Sequence, residues 1–133
     1  MPASPELQQE LDRIASIVVD RSLMIHKKLG PGLLESAYLR ILAYELRKSG
    51  LIVRTEVEVP LVWDGVEMGT AYRADLIVND ILVLELKATE QHSDLFARQL
   101  RTYLVALDRR LGLVINFGAK LLKGHVERVA NDF

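Results

Sequence analysis

The sequence predicts an α/β fold in which a mixed, largely antiparallel sheet of four or five strands carries helices on both faces. Three observations lead to this prediction. Apolar residues recur at helical spacing before residue 50 and again after residue 93, and between them residues 51–87 alternate as strands do. The run Leu113–Phe117 offers no polar face until Asn116, which is typical of an internal strand buried on both sides.

The composition suits one globular domain spanning residues 1–133, with 50% hydrophobic and 26% charged residues. The net charge of −1 provides no overall basic field, which counts against tight non-specific binding to nucleic acid. The absence of cysteine excludes disulfides and thiolate metal sites. No apolar stretch could span a bilayer and no secretory signal pattern opens the chain, so we expect a cytoplasmic protein that does not engage a membrane.

The first helix is predicted over residues 5–29. Ser4 is a suitable N-cap and Pro5 fits the first helical position. Gly30-Pro31 ends the helix, and His26 is explained as a residue of the last turn, where cations are favoured. The predicted apolar face consists of Leu7, Leu11, Ile14, Val18, Ile25 and Leu29.

A second helix is predicted from Gly32-Leu33 to Lys48, with Gly50 as its stop. Glu35 lies in its first turn, where the ordinary role of a carboxylate is to stabilise the positive end of the helix dipole. The predicted apolar stripe consists of Leu34, Tyr38, Leu42 and Leu46, with Leu39 and Ile41 alongside.

The middle of the chain is predicted to form three antiparallel strands. The first covers Leu51–Val59, and Pro60 either closes it or marks it as a sheet edge. Asp64-Gly65 is a turn dipeptide that leads into a strand from Val66 towards Asp75, and the third strand covers Ile81–Lys87.

A third helix follows Ser93-Asp94, which can cap it, and Leu113–Phe117 follows that helix as a strand. His125–Val129 is a candidate for one further strand. The apolar residues of the third helix are Leu95, Phe96, Leu100, Tyr103, Leu104 and Leu107, and the arginines exposed on it or at its end are Arg98, Arg101, Arg109 and Arg110.

The hairpin over Tyr72–Lys87 carries the clearest chemical signal. Asp75 on its first strand, with Glu85 and Lys87 on its second, places two carboxylates and an ammonium close together among apolar residues. Two carboxylates can hold a hard divalent cation such as Mg²⁺, and a neighbouring Lys can orient water or offset charge on a phosphate. The ordinary alternative is a solvated strand face with an ion pair, because charged residues mostly stay exposed.

A shared metal site requires one particular strand register. A two-residue turn at Asn79-Asp80 would put Asp75 and Glu85 on opposite faces, because directly opposite residues share a face. Pairing Val78 with Leu82 across a three-residue loop brings the two carboxylates to the same face. We therefore predict an odd loop or a bulge between the two acids, with a positive φ at Asn79 or Asp80.

Several short motifs occur in order over about Val19–Asn131. They are Gly32-Leu33-Leu34-Glu35-Ser36-Ala37-Tyr38, His26 with Leu29-Gly30-Pro31-Gly32, Tyr72-Arg73-Ala74-Asp75, Glu85-Leu86-Lys87-Ala88, Gln99-Leu100-Arg101-Thr102-Tyr103-Leu104 and Gly112-Leu113-Val114-Ile115-Asn116-Phe117-Gly118. Each is weak alone, but together they are specific. On these residues the chain resembles the GxxExxY family of the PD-(D/E)XK nuclease superfamily. The resemblance implies a restriction-endonuclease-like αβββαβ core.

The resemblance also implies roles for five residues. Asp75 and Glu85 would bind Mg²⁺ or Mn²⁺, and Lys87 would act beside the attacking water. Glu35 would supply an additional carboxylate to the metal, directly or through water. Gln99 corresponds to a glutamine that related branches place near the site from the helix after the Glu-x-Lys strand.

The chain departs from the family pattern at two positions. Ala74 stands where the superfamily name has Pro, a replacement that changes little. Phe96 stands where many family members carry a His, three residues before Gln99. Tyr103, one turn beyond Gln99, is predicted to pack in the core beneath it.

The leading functional expectation is a divalent-metal-dependent nuclease that hydrolyses phosphodiester bonds, with DNA as the first expected substrate. The chain shows no separate recognition module, so a homodimer or an accessory protein is expected to supply part of the surface that binds the nucleic acid. One alternative is a catalytically inactive accessory domain that binds nucleic acid or protein on the same fold. The other is a metal-dependent hydrolase of a different phosphoester.

Overall fold

The computed structural model describes all 133 residues and confirms the predicted order of elements. The elements are α1 (Pro5–Leu29), α2 (Glu35–Lys48), β1 (Val53–Trp63), β2 (Val66–Val78), β3 (Leu82–Lys87), α3 (Asp94–Leu107), β4 (Leu111–Asn116) and β5 (Val126–Ala130). None of the three helices combines the length and hydropathy that a membrane crossing requires.

The five strands form one mixed sheet in the order β1-β2-β3-β4-β5. Only β3 and β4 run parallel, with α3 as their crossover connection, and the other neighbours are antiparallel. Every residue of β4 is buried, and the strand lies between β3 and β5. The predictions of a mostly antiparallel sheet and of an internal strand at Leu113–Phe117 are therefore confirmed.

Helices cover both faces of the sheet, as predicted. Helices α1 and α2 pack on one face over a core of 21 buried residues, and α3 packs on the other over a core of nine. Within β3, Leu84 and Leu86 belong to the larger core and Val83 belongs to the smaller one. Because strand side chains alternate, Glu85 and Lys87 project towards α3.

The start of α2 differs from the prediction. The helix begins at Glu35, and Leu34 precedes it as an exposed N-cap with extended backbone. The connection turns through Gly30 and Gly32, whose φ values are 67° and 119°, so the helical path cannot start earlier. The predicted apolar-face positions of Leu29 and Leu34 are consequently wrong, since both side chains are exposed.

Strand β1 continues past Pro60 to Trp63, with register shifts on both sides of the proline. Strand β1 is the edge of the sheet, so Pro60 marks an edge strand and does not close it. This was one of the two alternatives that the sequence predicted. Asp64-Gly65 forms the turn, with φ values of 54° and 73° that suit a two-residue hairpin. Residues 60–70 extend β1 and β2 as a ribbon of exposed residues, which we call the arm.

Candidate active site

The strand register of the β2–β3 hairpin is the one that a shared acidic site requires. Val78 pairs with Leu82 across the three-residue loop 79–81. Asn79 and Asp80 both have positive φ, at 49° and 61°. The Asn79 side chain holds this loop by accepting a hydrogen bond from the Ile52 N–H at 2.8 Å. The predicted odd loop is confirmed.

The two acidic side chains lie where β2 and β3 separate. Backbone pairing of the strands ends at Leu76 and Leu84. Beyond that point the Asp75 N–H donates to Glu85 Oε1 at 2.9 Å, and the Leu86 N–H donates to Asp75 Oδ2 at 2.7 Å. Carboxylate oxygens thus take the place of backbone carbonyls, and the structure brings Asp75 and Glu85 together as predicted.

A backbone irregularity in β1 and β2 orients Asp75. Leu76 packs in the larger core and Ala74 in the smaller one, although residues two apart normally share a strand face. Opposite this twist, Glu56 has a φ of 51° and the regular pairing of β1 with β2 skips it. Asp75 sits at the twist, so its side chain turns towards β3 instead of entering either core.

Burial strongly perturbs the acid pair. Glu85 is only 5% exposed, and burial followed by repulsion from Asp75 raises its pKa from 4.5 to about 8. Burial raises the pKa of Asp75 from 3.8 to about 6, against the opposing hydrogen bond from Leu86, with further repulsion from Glu35. In the metal-free protein both carboxyls therefore keep their protons to a higher pH than isolated acids do, as two crowded acids without a compensating cation should.

Lys87 provides the nearest positive charge, which lowers the pKa of both carboxyls without outweighing burial. Its Nζ lies 4.8 Å from the centroid of the Phe96 ring on α3. The aromatic face attracts the ammonium and limits its positions. Phe96 is thus in contact with the predicted site through Lys87.

Glu35 approaches the acid pair from the first turn of α2. Its negative charge raises the pKa of both Asp75 and Glu85. The structure contains no cluster of three or more His, Asp or Glu side chains arranged to hold an ion. A direct ligand role for Glu35 therefore stays a prediction, which the electrostatic effect of its carboxylate on the acid pair supports.

Tyr38 organises the turn that precedes Glu35. Its hydroxyl donates to the Gly30 carbonyl at 2.5 Å and accepts from the Leu33 N–H at 3.2 Å. Its ring stacks on Phe117 with centroids 4.6 Å apart. The sequence analysis placed Tyr38 in the apolar stripe and did not predict these hydrogen bonds. The spacing from Gly32 to Tyr38 was the feature that could have indicated them.

His26 is also held in place from outside its own helix. It is buried, and its Nε2 lies 2.8 Å from the carbonyl oxygen of Ala119, in the loop after β4. Its position in the last turn of α1 agrees with the sequence interpretation. The bond to Ala119 adds a tertiary link that the sequence did not predict.

Helix α3 presents Phe96, Gln99 and Tyr103 at helical spacing towards the sheet. Tyr103 is buried in the smaller core, as predicted. Burial, followed by repulsion from the charges of Glu85 and Asp75, raises its pKa to about 12, so the hydroxyl lies within electrostatic range of the acid pair. Sequence reasoning missed that proximity. Gln99 lines a neighbouring cavity of about 220 Å³, and its predicted role remains a prediction.

The acid pair fits a hard divalent cation better than a softer metal. Its donors are carboxylate oxygens, and the chain offers no thiolate ligand. Mg²⁺ is commonly bound by one or two carboxylates, with waters and substrate phosphates completing its octahedral shell. A pair of carboxylates is consistent with that mode of binding.

The αβββαβ order and the mixed sheet define a restriction-endonuclease-like fold. A family model described as the PD-(D/E)XK nuclease superfamily matches residues 12–129, and the chain therefore belongs to that superfamily. No curated protein and no solved structure matches the chain. Membership points to a nuclease acting on nucleic acid, and nucleases of this superfamily generally use divalent metals.

Proposed function

We propose that this protein is a Mg²⁺- or Mn²⁺-dependent nuclease of the GxxExxY branch that hydrolyses phosphodiester bonds in DNA. The observation that carries the proposal is the pair formed by the half-buried Asp75 and the buried Glu85, which lies beside Lys87 at the separation of β2 and β3. Burying two repelling carboxylates costs free energy unless a cation or a proton compensates them. A domain that only binds a partner would gain nothing from two repelling carboxylates that destabilise its fold.

The proposed roles are those that the family resemblance implies, and the contacts of Asp75, Glu85 and Lys87 support them. Asp75 and Glu85 would hold the cation, which supplies water activation and neutralisation of phosphate charge when bound. Lys87, limited by the Phe96 ring, would orient the attacking water or offset charge developing on the phosphate. Glu35 would act through water from the opposite helix layer. Gln99 would line the approach to the site.

A second copy or an accessory protein is part of this proposal. The net charge of −1 gives the chain little general attraction for a polyanion. Additional basic surface from a homodimer or a partner would increase affinity without changing the chemistry at the acid pair.

A divalent-metal nuclease assay tests the proposal. Single-stranded, duplex and branched DNA and RNA are incubated with Mg²⁺, Mn²⁺ or EDTA. Glu85→Gln and Asp75→Asn should each reduce cleavage by about a hundredfold or more, a loss typical of removing a group that supports the transition state. Glu58→Gln is the matched control, because Glu58 is an exposed carboxylate of β1 outside the acid pair.

The other outcomes identify the alternatives. Absence of cleavage on every substrate, together with no cation binding at Asp75 and Glu85, would support an inactive accessory domain. Cation binding with hydrolysis of small phosphoesters, but of no nucleic acid, would support the other hydrolase.

A further inference from the structure

A groove runs between the base of the arm and helix α3. Its volume is about 620 Å³, and seven of its 11 lining residues are hydrophobic. Leu61 and Val62 line the arm side, and Val105 lines the helix side. An exposed apolar concavity of this size on a small protein is typical of a binding surface.

Two arginines line the helix side of this groove. Arg98 and Arg101 are exposed and lie one turn apart on α3. Neither guanidinium forms an ion pair, whereas six other arginines of the chain do. Adjacent unpaired guanidiniums are well suited to phosphate oxygens, which they bind through several N–H donors at once.

Tyr72 links the groove to the acid pair. This residue is 45% exposed, and its ring centroid lies 5.3 Å from that of Tyr103, which packs in the smaller core together with Ala74, the chain neighbour of Asp75. Tyr72 and Arg98 line both the groove and the smaller cavity that contains Gln99. The groove is therefore continuous with the surface next to the candidate active site.

We propose that the groove binds an unpaired strand of DNA, with phosphates on Arg98 and Arg101 and a base stacked on Tyr72. This inference rests on the proposed nuclease function and names its substrate class as single-stranded DNA or an unpaired DNA end. Binding of unpaired strands combines a cationic track with exposed aromatic rings. Bases inside a duplex are stacked on one another, so they cannot occupy an apolar groove or stack on a tyrosine.

The charge complementarity decides between this ligand and an apolar peptide. A peptide would fill the apolar lining but would leave two guanidiniums without a partner. A DNA strand satisfies the lining with its bases and the guanidiniums with its phosphates. The strand would also continue from the groove into the cavity that contains Gln99, on the side of the sheet that carries the candidate active site.

Binding is measured by fluorescence anisotropy in EDTA, which prevents cleavage, with a labelled oligodeoxythymidylate and a duplex of equal length. The single strand should bind more tightly. The double variant Arg98→Ala/Arg101→Ala should weaken binding and reduce the slope of log K against log salt by about 0.7 for each phosphate that is no longer neutralised. The control is Arg40→Ala/Lys48→Ala, which removes the same charge from the exposed face of α2 and should leave the slope unchanged.

A tyrosine series tests the stacking separately. Tyr72→Ala should weaken binding to the single strand about tenfold or more, and Tyr72→Phe should not, since stacking needs only the ring. Thermal unfolding of each variant verifies the fold. The arginine variant does not depend on this check, because both of its side chains are exposed.

Three results would overturn the inference: equal or tighter binding of the duplex, tighter binding of an RNA strand of matched length, or groove variants that bind like the control. Loss of self-association in the arginine variant, with DNA binding unchanged, would show that the groove contacts a second copy instead. Binding in the groove without metal-dependent cleavage would contradict the proposed function alone. Metal-dependent cleavage with unchanged binding in the groove variants would contradict this inference alone.

Discussion

At the residue scale, Asp75 and Glu85 each combine a charge that destabilises the metal-free fold with a hydrogen bond that supports it. One oxygen of each carboxylate accepts a backbone N–H of the opposite strand. The amide side chains of Asn and Gln keep an oxygen at the same position but carry no charge. Substitution by the amide therefore separates the electrostatic contribution of each acid from its structural one.

The acid pair should make the metal-free protein less stable as pH rises. The folded pKa values of about 6 for Asp75 and about 8 for Glu85 lie above the ordinary values of 3.8 and 4.5. At a pH between the ordinary pKa and the folded pKa of each acid, the folded state binds a proton that the unfolded chain has released. The free energy of unfolding therefore falls as pH rises through about 4 to 8. Urea unfolding in EDTA across this range measures the effect.

Glu85→Gln should flatten most of that dependence and make the metal-free protein at least as stable as the wild type at pH 8. Glu58→Gln serves again as the control, and it should retain the wild-type profile. An unfolded Glu85→Gln protein, or a wild-type stability that rises with pH over this range, would show that the carboxylates are structural.

Tyr38→Phe should destabilise the protein by about 0.5–1.5 kcal/mol, because the part-buried Gly30 carbonyl and Leu33 N–H lose a common partner. The stacking on Phe117 is retained in this variant. Chemical denaturation measures the change. Tyr44→Phe on the exposed side of the same helix should have almost no effect, and equal losses in both variants would contradict the assigned role of the hydroxyl.

At the scale of elements, local signals were sufficient for α1, whose bounds Pro5–Leu29 match the prediction. Ser4 caps the first turn of the helix and Gly30 ends the helix, so the residues next to each boundary are enough to predict it. The β2–β3 register was also predictable, because only one parity brings Asp75 and Glu85 together. The start of α2 was not, since apolar periodicity at Leu34 does not reveal whether that side chain is buried.

The contacts of α3 with the site could not be predicted from the sequence. The placement of Phe96 over Lys87 and of Tyr103 beside the acid pair depends on how α3 packs across the sheet. That packing is set by residues distant in sequence. The groove depends in addition on the continuation of β1 beyond Pro60, which sequence reasoning left open.

The end of β4 crosses closely over the segment that follows β3, and this crossing should tolerate no side chain at Gly118. A Cβ there would lie 2.2 Å from the Thr89 nitrogen and 2.6 Å from the Ala88 carbonyl carbon. Gly118→Ala should therefore cost about 1–3 kcal/mol or more, as overpacking does. It should also reduce cleavage, since the displaced segment begins directly after Lys87.

Gly112→Ala on the same strand is the comparison. The three atoms nearest to its added Cβ all belong to the side chain of Leu100, the closest 2.8 Å away, and that side chain can move. Thermal unfolding of the two variants should show the larger loss for Gly118→Ala. Equal losses would mean that the crossing has room to adjust.

At the scale of the whole molecule, the sheet separates two cores of unequal size. The side with α1 and α2 buries 21 residues and the side with α3 buries nine. Helix α3 has no helical neighbour on its face of the sheet. The side of the molecule that carries Phe96, Gln99 and the groove is therefore held by fewer buried side chains than the opposite side.

Hydrogen exchange should consequently show α3 opening before the rest of the fold. Backbone amides of α3 are expected to exchange faster than those of α2 and β3, because regions with less buried apolar surface unfold locally at lower free energy. Exchange monitored by mass spectrometry on peptides from these elements measures the difference. Equal protection of α2 and α3 would indicate that the two sides open as one unit.

The replacement of backbone carbonyls by carboxylates at the end of the β2–β3 pairing gives the protein a built-in spectroscopic probe. The amide protons of Asp75 and Leu86 point at oxygens of the acid pair. A cation that binds those oxygens changes both their protonation and their electron density, so the two NMR resonances should move together when it binds. The amide of Asn79, which donates to the Ile52 carbonyl at the other end of the hairpin, provides a fixed reference. The chemical shifts of these two amide protons can thus report cation binding at the site, without substrate or turnover.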